Sequence, residues 1–205
     1  MIARGSASAA RRDAEAYQER ILPAVSRTFA LTIPQLAPRL RTVIANAYLL
    51  CRIADTIEDE RSLPGDLKQE FHHRFTRVVG SGEDPAAFAR ELAPLLNGNT
   101  LAAERDLVVH TPDIIEVSGG FNTAQRESLA RCIGIMCAGM PRFERKASTA
   151  GLADMREMDR YCYYVAGIVG QTLTDLFCDY SPRIAEQRGA MSALDVSFGQ
   201  GLQMT

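Results

Sequence analysis

The sequence lacks an excess of charge of either sign. Its 205 residues carry a formal net charge of −2, which gives no overall pull toward nucleic acid or an anionic membrane surface. A long apolar run is also missing. The longest uncharged stretch, Tyr161 to Thr174, contains Gln171 and two threonines and falls short of the ~20 residues that span a bilayer, so a core helix is expected there. The first residues, M-I-A-R-G-S-A-S-A-A-R-R-D, have arginines but no apolar segment and so form no secretory signal; they read as a frayed lead-in. Cysteines are five, Cys51, Cys132, Cys137, Cys162 and Cys178, without a C-x-x-C pair. An odd number within apolar helical runs argues against a disulfide frame or zinc site, and they are expected as small core residues in a reducing cytosol. Histidines are limited to His72, His73 and His110. Glu70-Phe71-His72-His73 holds one E-x-x-H, but Leu107 stands where His110 would need its glutamate, so the carboxylate and histidine set of a di-iron bundle is incomplete. G-x-S-x-G, Walker A and G-x-G-x-x-G are absent, which removes local support for a triad hydrolase, a P-loop NTPase or a dinucleotide fold.

What is present is helical periodicity in nearly every segment, with no alternating stretch long enough for a strand, so the fold class is all-α. At 46% apolar residues the chain has enough material for a substantial core, as one domain or as part of a larger one. A first short helix is expected from about Asp13 to Leu22, broken at Pro23. Ser26 suits an N-cap for V-S-R-T-F-A-L-T-I, with Arg27 and Thr28 in the first turn. Pro38 suits the first turn of the next helix. Further helices are expected over 66–79, from Asp84-Pro85 to Asn97-Gly98, from Thr100 to an interruption at Thr111-Pro112, onward to Gly119-Gly120, and from Thr123 toward Lys146 with a bend at Pro141. Another follows Gly151, and a last one runs from Ser181-Pro182 to the end. S-F-G-Q-G-L-Q-M-T stops in mid-pattern, without a residue that closes a helix, and reads as a cut.

The helix from Pro38 carries A-Y-L-L-C-R-I-A-D-T-I-E-D-E. At 100° per residue, Tyr48, Arg52, Asp55 and Asp59 fall within roughly 60° of one another. Val43, Leu50, Ile53 and Ile57 lie on the far side, and Ile44 and Cys51 flank the stripe. A solvated face is the ordinary reading of charges near a helix end. Two local penalties weigh against it here: Asp55 and Asp59 repel at i, i+4 by about 0.2–0.5 kcal/mol, and both stand near the negative end of the helix dipole. Farther on, Gly167 and Gly170 sit inside a helical run at ~1 kcal/mol each relative to alanine. They imply either a close helix crossing or space for a ligand.

Three segments together resemble the squalene/phytoene synthase family of head-to-head prenyl transferases. V-S-R-T-F at Val25 to Phe29 is similar to the family's diphosphate-contacting S-R-S-F segment. Y-L-L-C-R-I-A-D-T-I-E-D-E is similar to its first aspartate-rich motif, and Y-C-Y-Y-V-A-G-I-V-G to its Y-C-x-Y-V-A-G-x-V-G helix. The resemblance implies a class I isoprenoid synthase bundle around a central apolar cavity, residues 1–205 forming a single domain without the C-terminal helices of the second aspartate-rich motif. It implies Mg²⁺ on Asp55, Glu58 and Asp59, with Arg52 holding the diphosphate or orienting the carboxylates. Ser26, Arg27 and Thr28 would form an anion site, and Phe29, Ile33, Val165, Val169 and Gly170 a substrate wall. Gln203 takes the glutamine position before the second motif, and Tyr161, ahead of Tyr48, would meet the cation or assist proton removal. The implied reaction condenses two farnesyl diphosphates through presqualene diphosphate to squalene, with NADPH. It leaves open phytoene or dehydrosqualene, a stop at presqualene diphosphate or hydroxysqualene, and, in another class, a non-catalytic helical scaffold. A cytoplasmic location with peripheral membrane association for product release, and no nucleic-acid partner, complete the expectation.

Overall fold

A computed structural model of the chain describes residues 3–26, 28–144 and 152–203. The described residues contain helices and no strand: α1 (Ala3–Val25), α2 (Phe29–Thr32), a 3₁₀ turn (Ile33–Gln35), α3 (Pro38–Asp59), α4 (Gly65–Val79), α5 (Pro85–Leu92), a 3₁₀ turn (Ala93–Leu95), α6 (Ala102–Val109), α7 (Thr111–Gly119), α8 (Thr123–Glu144), α9 (Met155–Cys162), a π-helical turn (Tyr163–Gly167), α10 (Ile168–Tyr180), α11 (Pro182–Ala185), α12 (Arg188–Ser192) and α13 (Asp195–Gln203). α3 starts at Pro38 as the sequence predicts, because proline at the first position loses no hydrogen bond a helix would make. α1 is longer than expected, beginning at Ala3 and passing through Pro23. Arg27 and the expected end of the Thr123 helix at Lys146 lie outside the described residues. The expected last helix is instead three, α11 to α13.

α3 is the element the others enclose, packing against α1, α4, α6, α7, α8 and α10. Its far side is sealed, with Leu50, Ile53 and Ile57 fully buried. Asn46, also fully buried, donates to Gln18 Oε1 and to the Ile114 carbonyl, each at 2.9 Å. It accepts from Ser118 Oγ at 2.7 Å, while Gln18 donates to the Thr42 carbonyl at 3.0 Å. This satisfied network fastens α1 and α7 to α3 at one register, since a slip would leave several buried polar groups unpaired. The five cysteines are unbridged and buried, as small core residues.

The end of α3 is built with equal care. Its last carbonyls have no helical partner, and Lys68 Nζ donates to the Glu58 carbonyl at 2.5 Å while Asn99 Nδ2 donates to that of Asp59 at 3.0 Å. Glu60, fully buried, accepts from Ser62 N, Ser62 Oγ, Gly98 N and Thr100 Oγ1 at 2.6–3.0 Å. Burial alone would raise its pKa, but these donors outweigh it and hold the carboxyl down to about 2. A carboxyl depressed in the folded state stabilises above its unfolded value near 4.5, and that contribution is lost as pH falls toward 2. Thermal melts across this range therefore lose less stability in Glu60→Gln than in the wild type. At neutral pH, Glu60→Ala lowers stability by about 3 kcal/mol in denaturant titration, because buried donors lose their acceptor.

Candidate active site

The α3 stripe survives in three dimensions. Arg52 and Asp55 are half-buried, Glu58 is intermediate and Asp59 is exposed at the helix end. Arg52 Nη1 stands 3.9 Å from Asp55 Oδ2, whereas Nη2 makes a direct ion pair with Glu104 on α6. Burial opposes the Arg52 charge, but the Glu104 pairing more than offsets it and the guanidinium pKa is raised. Burial pushes the Asp55 carboxyl up to about 7; Arg52 pulls against this, and the charges of Asp59 and Glu104 add to it. Burial, with Glu104, also raises Asp59, against the pull of Arg52 and Lys68. The patch thus holds more negative charge than its cations neutralise, although water reaches 31% of the Asp55 side chain.

Around the stripe the structure assembles most of the residues singled out by sequence. Tyr48 donates to the Val25 carbonyl at 3.0 Å, and its ring meets Phe29 with centroids 5.3 Å apart. Ser26 Oγ accepts from Phe29 N at 3.1 Å, but α2 begins at Phe29 with the exposed Thr28 at its cap position, so the helix start lies two residues beyond the one expected at Ser26. Tyr161 packs edge-on against Phe143 at 5.4 Å. Burial first, then the charges of Glu58, Asp55 and Asp59, push its phenol up to about 12, which places it within the field of the stripe as a neutral hydroxyl. Val165 and Val169 are half-buried against the core.

Three residues stand elsewhere. Ile33 lines a crevice of about 310 Å³ with Gln18, Leu22, Arg41 and Ala45, between α1 and α3, whose lining includes none of the stripe carboxylates. Gly170 is closely packed: a Cβ there would lie 1.9 Å from the Asp195 carbonyl oxygen of α13, which favours the close helix crossing over the ligand space of the two readings its sequence allows. Gly199 approaches the Ala166 carbonyl in the same crossing, at 2.1 Å from an added Cβ. Gln203 is exposed at the end of α13. Sequence reasoning missed Glu104, whose only local signal is its place three residues after Leu101, where its carboxylate accepts from Leu101 N at 3.1 Å. It also missed the π turn at Tyr163–Gly167, a feature common at functional sites.

The model of the family "Squalene/phytoene synthase" matches residues 22–205. The chain belongs to the squalene/phytoene synthase family. It is 32% identical over 194 residues to the Botryococcus squalene synthase of Botryococcus braunii, covering 90% of this chain and 37% of that protein. Squalene synthase 1 of Panax ginseng is 31% identical over 164 residues, 79% of this chain and 35% of its own length. The chain therefore spans little more than a third of these curated relatives. A solved complex of TcSQS with the ligand BPH1237 superposes with a TM-score of 0.76 at 26% identity, over 93% of this chain and 52% of that one. The all-α fold is thus that of a terpenoid synthase.

Two measurements check this geometry. A carboxyl raised in the folded state stabilises below its unfolded value near 3.8, and that contribution disappears as pH climbs through about 7. Asp55→Asn consequently raises the stability of the ligand-free protein at pH 8 by about 1 kcal/mol, less than the full shift because the group is partly solvated, and flattens its pH dependence between these values. Gly170→Ala forces α13 away from α10 and lowers stability by about 1–3 kcal/mol in denaturant melts.

Proposed function

We propose that the chain carries the substrate-ionising wall of a squalene-synthase-type prenyl transferase, which joins two farnesyl diphosphates head to head, through presqualene diphosphate, to squalene. The observation that carries this reading is the stripe on α3, where Asp55 and Asp59 share a face and the charge of Arg52 is divided between Asp55 and Glu104. Hard carboxylate oxygens short of positive charge suit Mg²⁺, and Asp55 and Asp59, with Glu58 beside them, would hold it. Among the described residues no group of three histidine, cysteine, aspartate or glutamate side chains is arranged to hold a metal ion. Bound Mg²⁺ would neutralise the diphosphate and make it a better leaving group.

The chain's own residues have defined parts in this reading. Arg52 offers a planar fork to phosphate oxygens, and Ser26, Arg27 and Thr28, adjacent in sequence, would supply hydroxyls and a cation. Tyr161, a neutral phenol whose deprotonation is made still harder by burial and the nearby carboxylates, presents a ring face that attracts an allylic cation and a phenol oxygen too weak to capture it. Phe29 and Tyr48 extend the aromatic wall, and Val165 and Val169 keep it apolar, which excludes water from the cation. Reduction to squalene takes a hydride, for which NADPH is the proposed donor. A product of that apolarity leaves into lipid, so peripheral membrane association is part of the proposal. No helix among the described residues is long and apolar enough to cross a membrane.

The purified protein incubated with farnesyl diphosphate releases pyrophosphate only with Mg²⁺, accumulates presqualene diphosphate without NADPH and forms squalene with it, as read by mass spectrometry. Metal-independent release, or a different hydrocarbon, contradicts the reading. Tyr161→Phe lowers product formation on the order of 10²-fold with little change in substrate affinity; a loss confined to affinity assigns its hydroxyl to binding alone.

A further inference from the structure

We infer that Glu104 is a positioning residue that holds Arg52 away from Asp55, so that the Asp55 oxygens are left unpaired and available to a cation. The inference rests on the reading of the α3 stripe as a cation and diphosphate site. Glu104 is only 8% exposed, and a carboxylate so buried is rarely found without a partner. Its two oxygens are divided: one accepts from Leu101 N at 3.1 Å and caps α6, the other takes Arg52 Nη2. Asp55, three residues on from Arg52 along the same helix, is the arginine's natural local partner. Yet Nη1 is left 3.9 Å from it, beyond hydrogen-bonding reach. Arg52 Nε is buried with no acceptor, as expected of a fork drawn to one side rather than seated on a carboxylate with both of its faces.

Glu104 is itself held from α3. Glu60, at the end of that helix, binds Gly98 N and Thr100 Oγ1, and Asn99 Oδ1 accepts from Arg61 N at 2.7 Å. These bonds fix the segment that leads into α6. The terminus of α3 thereby sets the position of the residue that restrains an arginine two turns back on the same helix.

Glu104→Gln separates this role from a structural one, because glutamine keeps the cap to Leu101 N and removes only the charge. A crystal structure of the variant is expected to show Arg52 turned onto Asp55; Arg52 left in its original place overturns the inference. In parallel, Mn²⁺ binding in the presence of inorganic pyrophosphate, followed by electron paramagnetic resonance, should weaken about tenfold in Glu104→Gln and recover in Glu104→Asp. On an Arg52→Gln background Glu104→Gln should have no further effect, whereas an equal loss there would show simple through-space attraction of the Glu104 charge for the cation and overturn the inference. If the wild type binds no Mn²⁺ with pyrophosphate while Arg52 still turns in the crystal, the restraint on Arg52 stands and the cation-site reading fails.

Discussion

Carboxylates crowded onto one face of a helix whose other faces are sealed in a core set the terms for the rest of this structure. Leu50, Ile53 and Ile57 on the reverse of α3 are fully buried, so the helix cannot roll to carry Asp55 farther into water or away from the Arg52 and Glu104 charges beside it. The charges of Asp55 and Asp59 must be met by what the neighbouring helices bring. Lys68 of α4 covers the Glu58 carbonyl, Glu104 of α6 occupies Arg52, and Tyr161 of α9 arrives as an uncharged phenol. None of these neutralises Asp55. The unmet charge is a cost to the ligand-free fold, of the kind that persists where a site has work to do.

Two carboxylates toward the end of α3, the half-buried Asp55 and the fully buried Glu60 that caps the helix, divergently resolve the same problem. Glu60 receives four hydrogen bonds and is pulled down to about 2, whereas Asp55 receives none of comparable strength and rises to about 7. They stand five positions apart in sequence, yet one is a fastener between α3 and the entry to α6 and the other is left without a close hydrogen-bond donor. Donor supply decides the difference, since Glu60, the more deeply buried of the two, is nevertheless the one whose pKa is lowered.

Much of this was legible in the sequence because it depends on local periodicity. The start of α3 at Pro38, the polar stripe, the Asp84 cap that accepts from Ala86 and Ala87 N and the Ser26 bond to Phe29 N follow from residue type and spacing. What escaped depends on contacts between distant segments. Glu104 lies 52 positions from Arg52 in an unremarkable helix start, so only the packing of α6 on α3 reveals it. Gly170 is explained by the approach of α13, and the choice between a close crossing and a ligand space was not available from the glycine itself. The π turn inserts a residue into a sequence that otherwise reads as plain α-helix, and the C-terminal stretch divides into three helices where one periodic run was expected.

The central claim is that the α3 stripe receives a divalent cation and a prenyl diphosphate. Anomalous diffraction from crystals grown with Mn²⁺ and a non-hydrolysable farnesyl thiodiphosphate tests it most directly. The account predicts an Mn²⁺ peak bonded to Asp55 and Asp59, with diphosphate oxygens toward Arg52 and the prenyl chain along Tyr161, Val165 and Val169. An Mn²⁺ peak away from both aspartates, or a diphosphate seated in a different crevice, would contradict it.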